Sequence, residues 1–225
     1  MMAHPLQRWL GAVLLVLACL GAARAEQPSN LRGDPDAPVT ILVFSAFACP
    51  YCAETRNTLE QVLAAYPGKV NLLFKHYPLG ADSAAWLPHE AAAAAGEQGK
   101  FWEMHDALFG RQGQLGERGQ IDSLARELGL DAARFDAALA SRAGTARIRG
   151  DVAEANALKV QATPTFYIGG YKFEGAQSVS VLKTVIDHLL VPGPASRAQS
   201  LQDKLRDTQQ RLTPAIERMQ QARQH

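Results

Sequence analysis

A short, almost unbroken apolar run rich in β-branched residues, "VTILVFSAF", begins at Val39 and predicts a strand buried on both faces. From Cys52 to Tyr66 the spacing changes to that of a helix, with Leu59, Val62 and Leu63 on one side, and Pro67-Gly68 ends it. "KVNLLFKHYPL" then supplies a second apolar strand. Strand, helix and strand in this order form a βαβ unit, whose two strands run parallel.

Residues 81–158 have helical period almost throughout: "AAWLPHEAAAAAGEQGKFWEMHDALFG", "IDSLARELG", "DAARFDAALAS" and "TARIRGDVAEANAL". Gly129 is placed to stop one helix and Asp131 to cap the next. The alanine run at 91–95 is helix-favouring composition. After this helical insertion, "TPTFYIGGYKFEG" reads as two strands joined at Gly169-Gly170, a strong hairpin signal, and "SVSVLKTVIDHLL" as a closing amphipathic helix. The domain therefore spans 39–190. Residues 26–38, "EQPSNLRGDPDAP", are polar and turn-rich and read as a linker or arm. Residues 191–225 begin with a linker and continue as a helical tail, with Leu201, Leu205, Leu212, Ile216 and Met219 in an apolar stripe. That stripe reads either as a seam that joins subunits or as a tail that packs on its own domain or stays frayed, and Pro214 interrupts any long coiled coil.

Residues 1–25 have the layout of a secretory signal: Arg8, an apolar stretch from Trp9 to Ala22, and small residues at Ala23 and Ala25. A second reading makes Cys19 the lipid-carrying first residue of a lipoprotein, against which Leu17 is larger than such signals usually carry. Export implies a periplasmic or extracytoplasmic protein in an oxidising compartment, where a disulfide persists. The chain has 23 Lys plus Arg and 22 Asp plus Glu; cleavage removes Arg8 and Arg24 and leaves 21 against 22. Such a balance excludes a nucleic-acid binder on charge grounds.

Two of the three cysteines lie in "FACPYCAET", where the first strand gives way to the helix. A disulfide between Cys49 and Cys52 closes so small a loop that it removes little entropy from the unfolded chain, so stabilising the fold is not its purpose. Cys49 falls at the helix N-terminus, where free N–H groups and the helix dipole favour a thiolate, the nucleophile of disulfide exchange. Cys52 lies one turn further in and is expected to be more buried, placed to resolve a mixed disulfide on Cys49. Zinc is the competing reading, but it wants four ligands, there is no second C-x-x-C, and His76, His89, His105 and His188 are scattered singly. No metal and no bound cofactor are expected.

The C-P-Y-C motif after the first strand, with Thr163-Pro164 before the hairpin, resembles the thioredoxin superfamily, and the helical insertion with "FWEMHDALF" resembles its DsbA-like exported thiol-disulfide oxidoreductases. The resemblance covers about residues 38–190. It implies an α/β thioredoxin fold with a helical insertion between the βαβ and ββα halves. It implies a cis Pro164 facing Cys49, Thr163 and Pro164 positioning an extended substrate chain, and Pro50 and Tyr51 tuning the pair. The partners implied are secreted or periplasmic protein thiols and a membrane redox partner. Val43 stands where such proteins often bury a carboxylate that takes the proton of the second cysteine, which leaves water, Glu54 or Lys75 for that work. Tyr51 stands where the strongly oxidising pattern has histidine, and its lack of charge favours a less oxidising poise. Oxidase is the favoured direction; isomerase or reductase of the same fold is the alternative. From another class, a copper(I) or chaperone module uses the same thiolates or a hydrophobic groove without turnover. Trp86, Phe101, Trp102, Phe109 and Phe135 are read as core of the insertion, with a peptide groove as the alternative, and His105 as a packed helix histidine.

Overall fold

The computed structural model describes residues 28–191. The expected signal segment 1–25, Cys19 and nearly all of the tail 191–225 lie outside the described residues. Five strands, β1 (Leu31–Arg32), β2 (Val39–Ser45), β3 (Val70–His76), β4 (Thr165–Ile168) and β5 (Tyr171–Glu174), form one sheet in the order β1-β3-β2-β4-β5. β2 and β3 are parallel and joined by helix α1 (Pro50–Ala65). β4 runs antiparallel to β2 and β5 to β4, and helix α7 (Val179–Leu190) closes the domain. Between β3 and β4 come α2 (Ser83–Gly96), α3 (Phe101–Gly110), α4 (Arg118–Glu127), α5 (Ala132–Ser141) and α6 (Ala143–Ala157), the expected helical insertion.

Side chains alternate across a strand, and here each face has its own cover. Val39, Ile41 and Val43 of β2, Val70, Leu72 and Phe74 of β3, and Phe166 and Ile168 of β4 join one core with Leu59 and Val62 of α1 and Leu182 and Ile186 of α7. Phe44 faces the other way, against Ala155 of α6 and Val160. Both faces are therefore apolar, which is why β2 reads as an almost continuous hydrophobic run. Asp131 caps α5 by accepting from the Arg134 N–H, and Gly129 ends α4 at φ 64°. The alanine run is more than a helix-former: Ala91 to Ala95 are all buried, and a Cβ on Gly144 of α6 comes 2.9 Å from the Ala93 Cβ. Small side chains here let α2 sit between its neighbours.

The arm at 26–38 is a linker only in part. Leu31–Arg32 pairs antiparallel with Leu72 and Leu73 on the outer side of β3. Asn30 continues the tie, its side chain donating to the Phe74 carbonyl at 2.6 Å and its own carbonyl accepting from the Phe74 N–H at 3.0 Å. These bonds satisfy backbone groups of a buried strand that otherwise ends the sheet; a two-residue strand in a polar stretch has no periodicity to announce it.

The β4–β5 turn uses Gly169 and Gly170 at φ 55° and 89°, as the paired glycines lead one to expect. At Gly169 a Cβ meets Leu189 Cδ1 and Cδ2 at 2.5 Å. Gly169→Ala is expected to cost about 1–3 kcal/mol through the left-handed backbone and the displaced leucine. A urea unfolding midpoint measures it; an unchanged midpoint overturns this account of the turn.

Candidate active site

Strand β2 ends at Ser45, "AFA" makes the turn, and α1 starts at Pro50 with Cys49 as its N-cap. Pro50 suits the first helical position, since its missing N–H is one the helix leaves free in any case. Cys49 is extended at φ −89° and ψ 120°, and its carbonyl accepts the Cys52 N–H at 3.1 Å. Its thiol donates to the Thr163 carbonyl at 3.3 Å across the gap between α1 and the start of β4. The Thr163–Pro164 bond is cis, and both residues are buried. The Pro164 carbonyl is held by the Gly175 N–H at 2.8 Å. The fold thus brings together two segments over a hundred residues apart in sequence. Cys49 and Cys52 are free thiols here, so the geometry is that of the dithiol.

Cys52 is the more enclosed of the pair, 2 % exposed against 5 % for Cys49. Burial pushes its thiol up to about 12, although the Ala46 backbone and the Ser45 and Thr163 hydroxyls favour its thiolate. At neutral pH it is a protonated thiol. Tyr51 is 62 % exposed. Reduced protein treated with iodoacetamide at pH 6 is therefore expected to carry label on Cys49 with Cys52 unlabelled, read by peptide mass. Equal labelling of both overturns the assignment of roles.

Neither group considered for the proton of Cys52 meets it. Lys75 is opposite Phe44 in the β2–β3 register and shares its face, turned away from α1. Its ammonium is occupied by Asp151 at 3.0 Å and Glu154 at 2.9 Å. Glu54 is exposed on α1 and does not line the cavity beneath Cys52. Ser45, at the end of β2 on the face of Val43, does line it. Sequence reasoning passed over Ser45 as one more residue of an apolar strand; only the period-2 count from Val43 points it at α1.

Three of the four histidines that look scattered in sequence, His76, His89 and His105, converge, while His188 is exposed on α7. His76 and His89 face each other with Nδ1 atoms 2.9 Å apart, and both are buried. Phe47 packs on His89 at 4.8 Å and on His105 at 5.8 Å between ring centres. Burial first, and each other's charge next, hold His76 well below the ordinary histidine value; burial, then His105, holds His89 at about 3. They are neutral core histidines. Among the described residues no group of three or more His, Cys, Asp or Glu is placed to hold a metal ion. Phe101, Phe109 and Phe135 are buried core, Trp102 packs against it, and Trp86 lies half-buried, its indole N–H donating to the Gly80 carbonyl at 3.1 Å. No helix among the described residues is long and apolar enough to cross a membrane.

A family model described as "Thioredoxin" matches residues 26–188. Among solved structures, the chain is similar to a thioredoxin-like oxidoreductase from Silicibacter pomeroyi DSS-3, with 29 % identity, 72 % of this chain and 92 % of that one covered, and a TM-score of 0.66. It shares its fold with the thiol-disulfide exchange protein alpha-DsbA2 of Wolbachia pipientis, at 20 % identity, 83 % and 100 % coverage, and a TM-score of 0.66. Among curated proteins, it is 36 % identical over 158 residues to the Na(+)/H(+) antiporter NhaA 1 of Salinispora arenicola, covering 70 % of this chain and 24 % of that protein. The chain spans about a quarter of the length of the curated relatives it matches. A sheet in this order, a C-P-Y-C pair at the head of α1, a cis proline facing it and a matching family model over most of its length make this chain a member of the thioredoxin family, with the DsbA-like helical insertion.

Proposed function

We propose that the protein is an exported thiol-disulfide oxidoreductase that oxidises secreted protein thiols through the Cys49–Cys52 pair. The observation that carries this reading is the division of the pair: Cys49 caps α1 against the Thr163 carbonyl, while Cys52 is buried with its thiol pushed up to about 12. In the oxidising direction a substrate thiolate attacks Cys49 of the disulfide, the S–S bond breaks, and Cys52 leaves and takes up a proton. A second substrate thiolate then attacks the mixed disulfide and frees Cys49. Two electrons pass from the substrate dithiol to the pair. Thr163 and Pro164 lie where an extended substrate chain reaches Cys49, and backbone pairing there holds it. Pro50 and Tyr51 set the poise. Tyr51 supports a less oxidising one than a histidine gives. Segment 1–25 directs export, and a membrane protein reoxidises the pair. The transport in the names of the antiporter relatives belongs to chains about three times as long and is not carried over.

The test is oxidation of a reduced two-cysteine peptide in a glutathione buffer. Many turnovers per protein molecule, lost in Cys49→Ala, are expected. Binding of peptide or copper(I) in a one-to-one ratio with no turnover overturns the reading in favour of a binding module.

A further inference from the structure

Beneath Cys52, between α1, the sheet and α3, lies a small, partly open cavity that leaves about 20 Å³ in which the centre of a water molecule can move. About 10–15 Å³ suffices for one water when polar partners surround it. Its wall is mostly apolar, but Cys52, Ser45, Thr55, Arg56, Trp102 and His105 also line it and can serve as those partners. Thr55 Oγ1 and Trp102 Nε1 are buried with no hydrogen-bond partner among the described residues, and buried Arg56 Nε has no hydrogen bond, only Glu60 Oε1 at 4.0 Å. Three such atoms around one space need an explanation, and ordered water supplies it. On the far side, His105 Nδ1 is 2.8 Å from Asp106 Oδ1, and Asp106 Oδ2 is 2.7 Å from the Arg32 guanidinium. With Nδ1 taken, Nε2 is the ring nitrogen left to exchange a proton. Val43 and Phe74, which also line the cavity, carry none.

We propose that Cys52 exchanges its proton, through water held in this cavity, with His105, which Asp106 orients. The inference rests on the thiol-disulfide reading above and deepens it. When Cys52 resolves a mixed disulfide, its sulfur bonds to Cys49 Sγ, the bond from Cys49 to the substrate sulfur breaks, and the substrate leaves as a thiolate. The Cys52 proton passes through water to His105, and the imidazolium is held by Asp106. In the oxidising direction the same path returns a proton to Cys52 as it leaves. The charged and titratable groups facing His105 are Cys52, Arg56 and Glu60 on α1, Arg32 on β1, His76 on β3, His89 on α2 and Asp106 on its own helix. Burial above all holds His105 below its ordinary value, outweighing Asp106, so it is an available acceptor throughout neutral pH.

The experiment follows the reduced protein after mixing with oxidised glutathione, quenched in acid and read by mass. The mixed disulfide on Cys49 forms in one phase and Cys52 resolves it in the next. In the unsubstituted protein the resolving rate is expected to change little between pH 6 and 9. In His105→Gln it falls at least about 100-fold at pH 7 and rises about tenfold per pH unit, because attack then waits on free thiolate. Asp106→Asn, whose side chain is 34 % exposed and leaves the core packing alone, shifts the profile in the same direction and carries the test where His105→Gln does not fold. A steep profile already in the unsubstituted protein, or one unchanged in a folded variant, overturns the relay. Failure of the first phase is a different result: it removes the thiol-disulfide reading itself.

Discussion

Cys52→Ser is expected to convert the protein into a covalent trap. Cys49 keeps its place at the head of α1 and its contact with the Thr163 carbonyl, so its thiolate still attacks a disulfide in a substrate or in oxidised glutathione, bonding to one sulfur and releasing the other as a thiol, and a substrate thiolate can displace the glutathione to form the same kind of complex. The thiol that releases them is gone. A well-oriented internal group acts at an effective molarity on the order of 10⁵ M, so release by outside thiols is slower by at least about 100-fold. Complexes should accumulate in cells that express the full chain and survive non-reducing electrophoresis, and Cys49→Ala in the same background should remove them. Their composition sets the direction. Many secreted clients, with a membrane protein that reoxidises the pair, belong to an oxidase; a few clients with several cysteines and a reducing partner belong to an isomerase or reductase. A folded variant with a reactive Cys49 and no adducts overturns the redox function.

Acid is expected to weaken the fold well before the carboxylates titrate, because of the histidines packed around Phe47. His89 is held at about 3 in the folded protein, mainly by burial, against about 6.5 in an unfolded chain. Its folded value is lowered, so the unfolded state binds the extra proton. The stability is intact above about pH 6.5 and is lost as pH falls toward the folded value. At pH 5 His89 alone costs about 2 kcal/mol. His76 is shifted in the same direction, first by burial and then by His89, and adds to the loss. Its pairing with His89 at 2.9 Å between Nδ1 atoms sharpens the effect, since two protonated rings at that distance repel. For a domain of this size that is a fall of about 4–8 °C in Tm between pH 7.5 and 5. Thermal unfolding of the disulfide form, in which no active-site thiolate titrates, measures it. An equal or higher Tm at pH 5 shows that the pair is not neutral in the folded state.

The elements that local physics dictates can be read directly from the chain. Unbroken apolar runs marked β2 and β3, helical spacing marked α1 and the insertion, paired glycines marked the β4–β5 turn, and Asp131 and Gly129 marked a cap and a stop, all as found. Cys49 at a helix start was legible too, because strand, cysteine, proline and helix are adjacent in the chain. What long-range packing decides was not legible. Leu31–Arg32 is a strand only because β3 presents an outer edge to it. Lys75 lost its candidacy only through the β2–β3 register, which turns it toward Asp151 and Glu154 on α6. His76 and His89 meet at 2.9 Å from different elements, and Ser45, Thr55, Trp102 and His105 line one cavity from a strand and two helices. Side-chain period tells which face a residue takes; it does not tell which residue of another element stands opposite. That depends on how the insertion docks on the sheet, and the tertiary structure alone sets it.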